Sequence, residues 1–242
     1  MAGLRIRNGQ IALRDRDRVF RLEINRLNVR SGQAVALTGA SGSGKTLVLE
    51  MLGLLRAPGP GTAFDWRNGE GHQDLAALWA TGPRSGALAR MRGRLFGFVP
   101  QTGGLMPFLN VTENIALPQR VNDCRDADWI GELTDRLGLA DVARLLPGAL
   151  SIGQRQRTAI ARSLAHRPPF VIADEPTAAL DPDSADAVLA LLLEVAAGQG
   201  CGVILSSHDV ARIDRFGIER LSLRVQSEGG QVVSTLEEGA PC

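Results

Sequence analysis

The 242-residue chain has no tyrosine, three cysteines and a single lysine. Cys124, Cys201 and Cys242 are odd in number and form no C-x-x-C pair, which argues against a disulfide framework and a zinc site and for a reducing compartment. His72, His166 and His208 are equally scattered. Long hydrophobic runs are missing too: the longest, Ala187 to Ala197, carries Glu194 and falls short of the roughly 20 apolar residues a membrane-spanning helix needs. The opening Met1-Ala2-Gly3-Leu4-Arg5-Ile6-Arg7 lacks the apolar core of a signal peptide, so any membrane role is expected to come through a partner. A net charge of +1 leaves no electrostatic footprint for DNA or RNA, and no nucleic-acid partner is expected. With 44% hydrophobic and 22% charged residues the composition is that of an ordinary globular protein, and the length suits one α/β domain with an inserted lobe.

The place of the lone lysine organises the rest. Lys45 is one of 27 basic residues, the others all arginine, and it stands in Gly39-Ala40-Ser41-Gly42-Ser43-Gly44-Lys45-Thr46, a complete G-x-x-x-x-G-K-[ST] phosphate-binding loop. Ala34 to Thr38 before it reads as a short buried strand, and Leu47 to Leu52 after it continues as a helix. Such a loop turns successive backbone N–H groups toward an anion at a helix N-terminus; Lys45 reaches the β/γ-phosphates and Thr46 offers a hydroxyl to Mg²⁺. A planar guanidinium in place of the compact ammonium would not fit that cradle. The alternative for the motif is a Gly/Ser-rich turn that matches by chance, against which the flanking strand and helix speak; codon bias explains the arginines but not the position of the exception.

From Leu4 to Ser31, alternating segments separated by Asn8-Gly9 and by the charged run Arg14 to Arg18 predict an antiparallel sheet. Ala57-Pro58-Gly59-Pro60-Gly61 is a breaker, and the Gly-rich stretch up to Arg94 resists assignment. Gly97 to Gln101 is a short strand, and Asn110 or Thr112 is placed to cap the helix that follows. Trp129 to Leu146 has helical spacing broken at Gly138, so a helical lobe is expected between about residues 104 and 165. Phe170-Val171-Ile172-Ala173 is a second buried strand ending in Asp174-Glu175, Ser184 to Ala197 a helix, and Val203 to Ser207 a third buried strand ending at His208. Gly229-Gly230 between two apolar runs predicts a terminal hairpin.

An Asp at a strand end commonly holds Mg²⁺ together with the phosphate-loop hydroxyl, here Asp174 with Thr46. A carboxylate one residue further, Glu175, is suited to orient or deprotonate the attacking water. A solvated turn is the plainer reading of two such acids. Leu150-Ser151-Ile152-Gly153-Gln154-Arg155-Gln156-Arg157, however, resembles the signature motif of ATP-binding cassette (ABC) proteins. Gln101 falls at the place of that family's Q-loop glutamine, Ala179-Leu180-Asp181 at its D-loop and His208 at its switch histidine, all in the family's order. The chain thus resembles the family's nucleotide-binding domain over essentially its whole length.

The resemblance implies an α/β P-loop NTPase with a RecA-like core, an N-terminal antiparallel β-subdomain and an inserted α-helical subdomain, the whole of 1–242 forming one domain. It implies ATP and Mg²⁺ bound by Gly39 to Leu47, with Thr46, Gln101 and Asp174 around the metal. Glu175 is then the general base, His208 holds the γ-phosphate, and Ser151, Ile152, Gly153 and Gln154 act in trans, beside the D-loop Asp181, in a head-to-tail dimer with a second copy or a paralogous ATPase. Arg94 to Gln101 and Thr112 to Pro118 look most like the ATPase subunits of lipoprotein-release and macrolide-export systems, which implies an integral membrane permease partner and a peripheral place on the cytoplasmic face of the bacterial inner membrane. Two departures point to slow turnover or reduced affinity: Ile152 where the family usually has glycine, and Leu47 where a second hydroxyl usually contacts the α-phosphate. They motivate the alternative of a nucleotide-dependent dimerising or regulatory module with little hydrolysis. The aromatic that stacks on adenine is not evident: Phe20 reads better as a core strand residue, and one of Arg14, Arg16 and Arg18 could stack instead.

Overall fold

The computed structural model describes residues 2–15, 18–69, 71–228 and 231–238. Along the chain run strands β1 (Gly3–Asp15), β2 (Arg18–Arg30) and β3 (Ala34–Thr38), helix α1 (Lys45–Leu52), strands β4 (Ala63–Asn68) and β5 (Gly71–Asp74), helix α2 (Gly86–Leu95) and strand β6 (Phe96–Val99). Helices α3 (Val111–Val121), α4 (Ala127–Arg136) and α5 (Ile152–Leu164) come next, then β7 (Phe170–Ala173), α6 (Pro182–Gly198), β8 (Gly202–Ser206), α7 (Val210–Arg215), β9 (Glu219–Glu228) and β10 (Gln231–Glu238). They form two compact units, one from 1–89 and 204–242, the other from 90–203.

In the first unit the strand order is β5-β4-β1-β2-β10-β9-β3-β8. β1 and β2 pair antiparallel from Gly3↔Arg30 to Asp15↔Arg18, as the expected antiparallel sheet requires; residues 16 and 17 of the charged run lie outside the described part. Asn8-Gly9, expected to divide two strands, does not. Asn8 takes φ 51, a left-handed conformation that asparagine tolerates better than most residues. The inward-facing residues of β1 accordingly switch from Leu4 and Ile6 to Gly9 and Ile11. β2 switches opposite it, from Leu27 and Val29 to Leu22 and Ile24, so the register carries through from Arg7↔Arg26 to Gly9↔Ile24. One long hairpin replaces three short segments because both strands change face together.

The stretch that resisted assignment contains the β4–β5 hairpin. β4 lies antiparallel to β1, with Phe64 opposite Ile6 and Trp66 opposite Leu4, which buries both aromatics. β5 pairs antiparallel with β4 from Asn68↔Gly71 to Asp65↔Asp74, and the alternation of Phe64 and Trp66 was the available signal. At the other end of the unit β9 and β10 form the expected antiparallel hairpin, from Gln231↔Glu228 to Glu238↔Leu221; its Gly229-Gly230 lies outside the described residues, as does Cys242. β10 also pairs parallel with β2, and β3 parallel with β9.

In the second unit β6 and β7 are parallel, Phe96 opposite Phe170 and Val99 opposite Ala173, and all four residues of β7 are buried, as a continuous apolar run requires. Of the two possible caps it is Asn110 that starts α3, its side chain accepting from Glu113 N–H while the Glu113 carboxylate accepts from Asn110 N–H. Asp126 caps α4, which ends before Gly138. No helix among the described residues is long and apolar enough to cross a membrane.

α5 packs against β6 so closely that a Cβ on Gly97 would stand 1.9 Å from the carbonyl oxygen of Ser163. Backbone cannot yield there, so Gly97→Ala is expected to lower stability by about 3 kcal/mol, read from the urea midpoint. An unchanged midpoint would show the contact to be looser than this. Just past α5, burial holds the pKa of His166 below its usual 6.5, opposed in part by backbone groups of Phe96 and Gly93. The unfolded chain then takes up a proton that the native state resists, so stability is full above pH 6.5 and falls as the pH drops below it. Urea titrations of wild type and His166→Gln across that range check this: the acid-side decline is expected to shrink in the variant.

Candidate nucleotide site

The glycine-rich loop connects the end of β3 to the start of α1. Gly39 and Gly44 have φ 145 and 96, which L side chains rarely adopt, and a Cβ on Gly44 would lie 3.1 Å from Cζ of Phe20. Phe20 is therefore half-buried beneath the loop, neither a fully buried core residue nor a free stacking platform. Arg14 is exposed on β1, while Arg16 and the side chain of Arg18 lie outside the described residues. From behind, Ser234 of β10 donates its hydroxyl to the carbonyl of Ser43 at 2.6 Å, both residues being fully buried. No residue pattern announces this prop, because the bond spans 191 residues and ends on backbone.

No side chain caps α1, so its first N–H groups are not claimed by a cap, and Gly44 takes the cap position. Lys45 is buried, its ammonium donating to the carbonyls of Gly39 and Ala40 at 3.1 and 3.2 Å. Space over Gly42 is open, and Thr46 is exposed at the helix start. These features fit a polyphosphate: a helix N-terminus without a side-chain cap, one cation, and room for oxygen atoms. Leu47 is half-buried in α1. Also in the first unit, Ser207 N–H donates to the Leu37 carbonyl at 3.0 Å, so His208 leaves β8 beside the end of β3 from which the loop departs. His208 is exposed.

The remaining candidates belong to the second unit. Asp174 N–H donates to the Val99 carbonyl at 2.9 Å, so the chain leaves β6 toward Gln101 and β7 toward Asp174 and Glu175 at one carboxyl edge of a parallel pair. Ligands in α/β sheets bind at that edge. Gln101 is at the exposed tip of a turn closed by Gly103 N–H to the Pro100 carbonyl at 2.8 Å, whereas Asp174 and Glu175 are half-buried. Glu175 has φ 46, a strained conformation for a residue with a side chain.

Ser151 is the N-cap of α5: its hydroxyl oxygen accepts from Gln154 N–H at 3.2 Å, and Gln154 Oε1 accepts from Ser151 N–H at 2.9 Å. Ile152, the first helical residue, is 50% exposed. Ser151, Ile152 and Gly153 share a cleft of about 470 Å³ with Ala179, Leu180 and Asp181, so signature and D-loop residues come together. The Asp181 carboxylate is engaged in capping α6, accepting from Ser184 N–H at 3.0 Å, and the hydroxyl and N–H of Ser184 hold its pKa below the usual carboxylate value.

Among the described residues no three His, Cys, Asp or Glu side chains gather as a metal cage. Thr46 in the first unit, and Gln101 and Asp174 in the second, each carry a side-chain oxygen, the donor type that Mg²⁺ takes.

A phosphate loop between a parallel strand and a helix, with an Asp-Glu pair at the end of another parallel strand, defines the class of P-loop NTPases. Residues 22–178 match the family model described as ABC transporter, and the chain belongs to that family. It is 37% identical to the "Lipoprotein-releasing system ATP-binding protein LolD" of Shewanella denitrificans over 80% of this chain and 81% of that protein. It is 38% identical to the "Macrolide export ATP-binding/permease protein MacB 2" of Aeromonas hydrophila over 85% of this chain, but spans only 31% of that longer protein. Among solved structures it superposes on the ATP-binding cassette MJ0796, a dimer in a post-hydrolysis state with ADP and Pi bound, with a TM-score of 0.75 and 28% identity over 95% of this chain and 96% of that one. The chain is accordingly an ATP-binding, ATP-hydrolysing member of the ABC transporter family.

Proposed function

We propose that the two units together make up one nucleotide-binding domain, with the helices of 104–165 as its inserted lobe, and that this domain is the ATPase subunit of a membrane transport or mechanotransmission complex. The observation that carries the residue assignments is the shared carboxyl edge of β6 and β7, from which Gln101, Asp174 and Glu175 all depart. In this reading the α1 N-terminus and Lys45 hold the β- and γ-phosphates, the ammonium exchanging its present carbonyl partners for phosphate oxygens. Thr46, Asp174 and Gln101 would hold Mg²⁺, which when bound neutralises charge developing on the transferred phosphoryl group. Glu175 takes the proton of the attacking water, and His208 donates to the γ-phosphate. The hydroxyl of Ser151 and the N–H groups at the start of α5 complete the site from a second copy or a paralogous ATPase, head to tail. The dimeric cassette with ADP and Pi supports that arrangement.

The membrane partner is an integral permease, as the names of the LolD and MacB relatives support, and it places the chain peripherally on the cytoplasmic face of a bacterial inner membrane. Its docking surface lies around residues 101–114, where Phe108 is 72% exposed, with the exposed Leu145 and Leu146 further along the lobe. The assembly is tested by sedimentation with and without a non-hydrolysable ATP analogue. The expected result is a monomer that becomes a dimer with nucleotide; a monomer under both conditions rules the composite site out.

One observation favours a second reading, a dimerising module that hydrolyses little: the β-branched Ile152 is exposed between the Ser151 cap and Gly153, where its side chain would hold off a phosphate carried by a second copy. Ile152→Gly is expected to raise turnover about tenfold, near 1.4 kcal/mol, while costing up to about 1 kcal/mol of helix stability. Steady-state phosphate release decides it, since unchanged turnover would clear Ile152 of that restriction.

A further inference from the structure

Arg162 lies in the last turn of α5, about 16 Å along the helix from the Ser151 cap at 1.5 Å per residue. Arg162 is half-buried, partial burial lowers its pKa, and both terminal nitrogens are used: Nη1 donates to the Gly104 carbonyl at 2.7 Å and Nη2 to the Gly103 carbonyl at 2.8 Å. No carboxylate pairs with it among the described residues, so a partly desolvated cation is committed to two backbone carbonyls of one turn. That is a costly arrangement unless the position of the turn matters. The turn is the one whose tip is Gln101, closed by Gly103 N–H to the Pro100 carbonyl. The next residue on the helix, Ser163, is in backbone contact range of Gly97 on the strand leading into that turn. Two consecutive residues of α5 therefore grip the strand before Gln101 and the turn behind it.

We propose that Arg162 is a positioning residue for Gln101, locking the glutamine-bearing turn to the helix that starts at Ser151, so that the two elements move as one piece. A forked, planar guanidinium is what two successive carbonyls require; a lysine ammonium can satisfy them only loosely. The inference rests on the role given to Gln101 above. It makes Arg162 responsible for how fast bound ATP is cleaved and not for how tightly ATP binds.

The test compares Arg162→Met, the milder Arg162→Lys, Gln101→Ala and the Arg162→Met/Gln101→Ala double variant in the full chain. Turnover is read by phosphate release, affinity by titration with a fluorescent ATP analogue, and local order by hydrogen exchange of residues 100–106. Arg162→Met is expected to speed exchange of 100–106 with α5 still protected, to lower kcat about tenfold, and to leave nucleotide affinity within about twofold. The double variant should be no slower than Gln101→Ala, because both changes remove one function. Arg162→Lys should fall between, and stands in for the methionine variant if that one does not fold. Normal turnover in the Arg162 variants beside an impaired Gln101→Ala, or losses that multiply in the double variant, would overturn the inference alone. Normal turnover in Gln101→Ala would instead remove the role assigned to Gln101, and this inference with it.

Discussion

Replacing Glu175 with glutamine is expected to lower ATP turnover roughly 10³-fold while nucleotide affinity stays within about twofold, the size of effect a positioned general base supplies. Glutamine keeps the volume and backbone preference of glutamate and removes only the ability to accept the proton of water. The fold should therefore survive, and a dimer that closes on ATP without cleaving it should accumulate. The backbone at this position sharpens the test. With φ 46, Glu175 occupies a left-handed conformation that costs a side-chain-bearing residue on the order of 1–2 kcal/mol, and Pro176 follows it directly. Glu175→Gly relieves that strain, so it should raise the melting temperature while abolishing turnover. Stability and activity moving in opposite directions at one residue is what a strained functional position produces. Phosphate release and thermal melts of wild type and the two variants measure this, and a Glu175→Gln protein retaining a tenth of wild-type turnover would give the proton to another base.

At Lys45 the loss should appear in binding. Two charge-assisted hydrogen bonds to phosphate oxygens, each worth about 1.5–3 kcal/mol, correspond to roughly 10²–10⁴ in affinity when Lys45 becomes alanine. Lys45→Arg should be nearly as damaging, because the buried ammonium is held by the carbonyls of Gly39 and Ala40, a seat for a compact point charge and not for a planar fork. In a chain that uses arginine at every other basic position this substitution is the informative one. Titration with a fluorescent ATP analogue reads both variants; an arginine variant that binds like wild type would make the lone lysine an accident of composition.

The readable parts of this protein were those where chemistry dictates residue type. A phosphate cradle needs glycines and a compact cation at fixed spacing, so Gly39 to Thr46 stood out, and the buried run Phe170 to Ala173 ending in two acids could only be a covered strand with charge at its edge. Where backbone decides, the residues were silent. Asn8-Gly9 looked like a turn because asparagine followed by glycine favours left-handed backbone; the structure uses that same preference to switch the inward face of two paired strands in mid-hairpin. The β4–β5 hairpin was obscured by the many glycines around it, although Phe64 and Trp66 alternate as strand residues should. Arg162 and Ser234 act on carbonyls, and a carbonyl leaves no mark on the residue type that bears it.

Ser234 has a consequence for the order of events in protein synthesis. The loop it props was made 191 residues earlier than the hydroxyl that holds it, and β10, which carries that hydroxyl, lies between β2 and β9 in the sheet. While the ribosome is still adding residues, β2 presents an unpaired edge and the floor of the loop is missing. A propped loop for ATP therefore waits for β10 to emerge. A nascent chain thus holds the phosphate-binding sequence well before it holds the strand that props the phosphate-binding loop, so a chain that has not yet made β10 lacks the support on which closure around nucleotide rests.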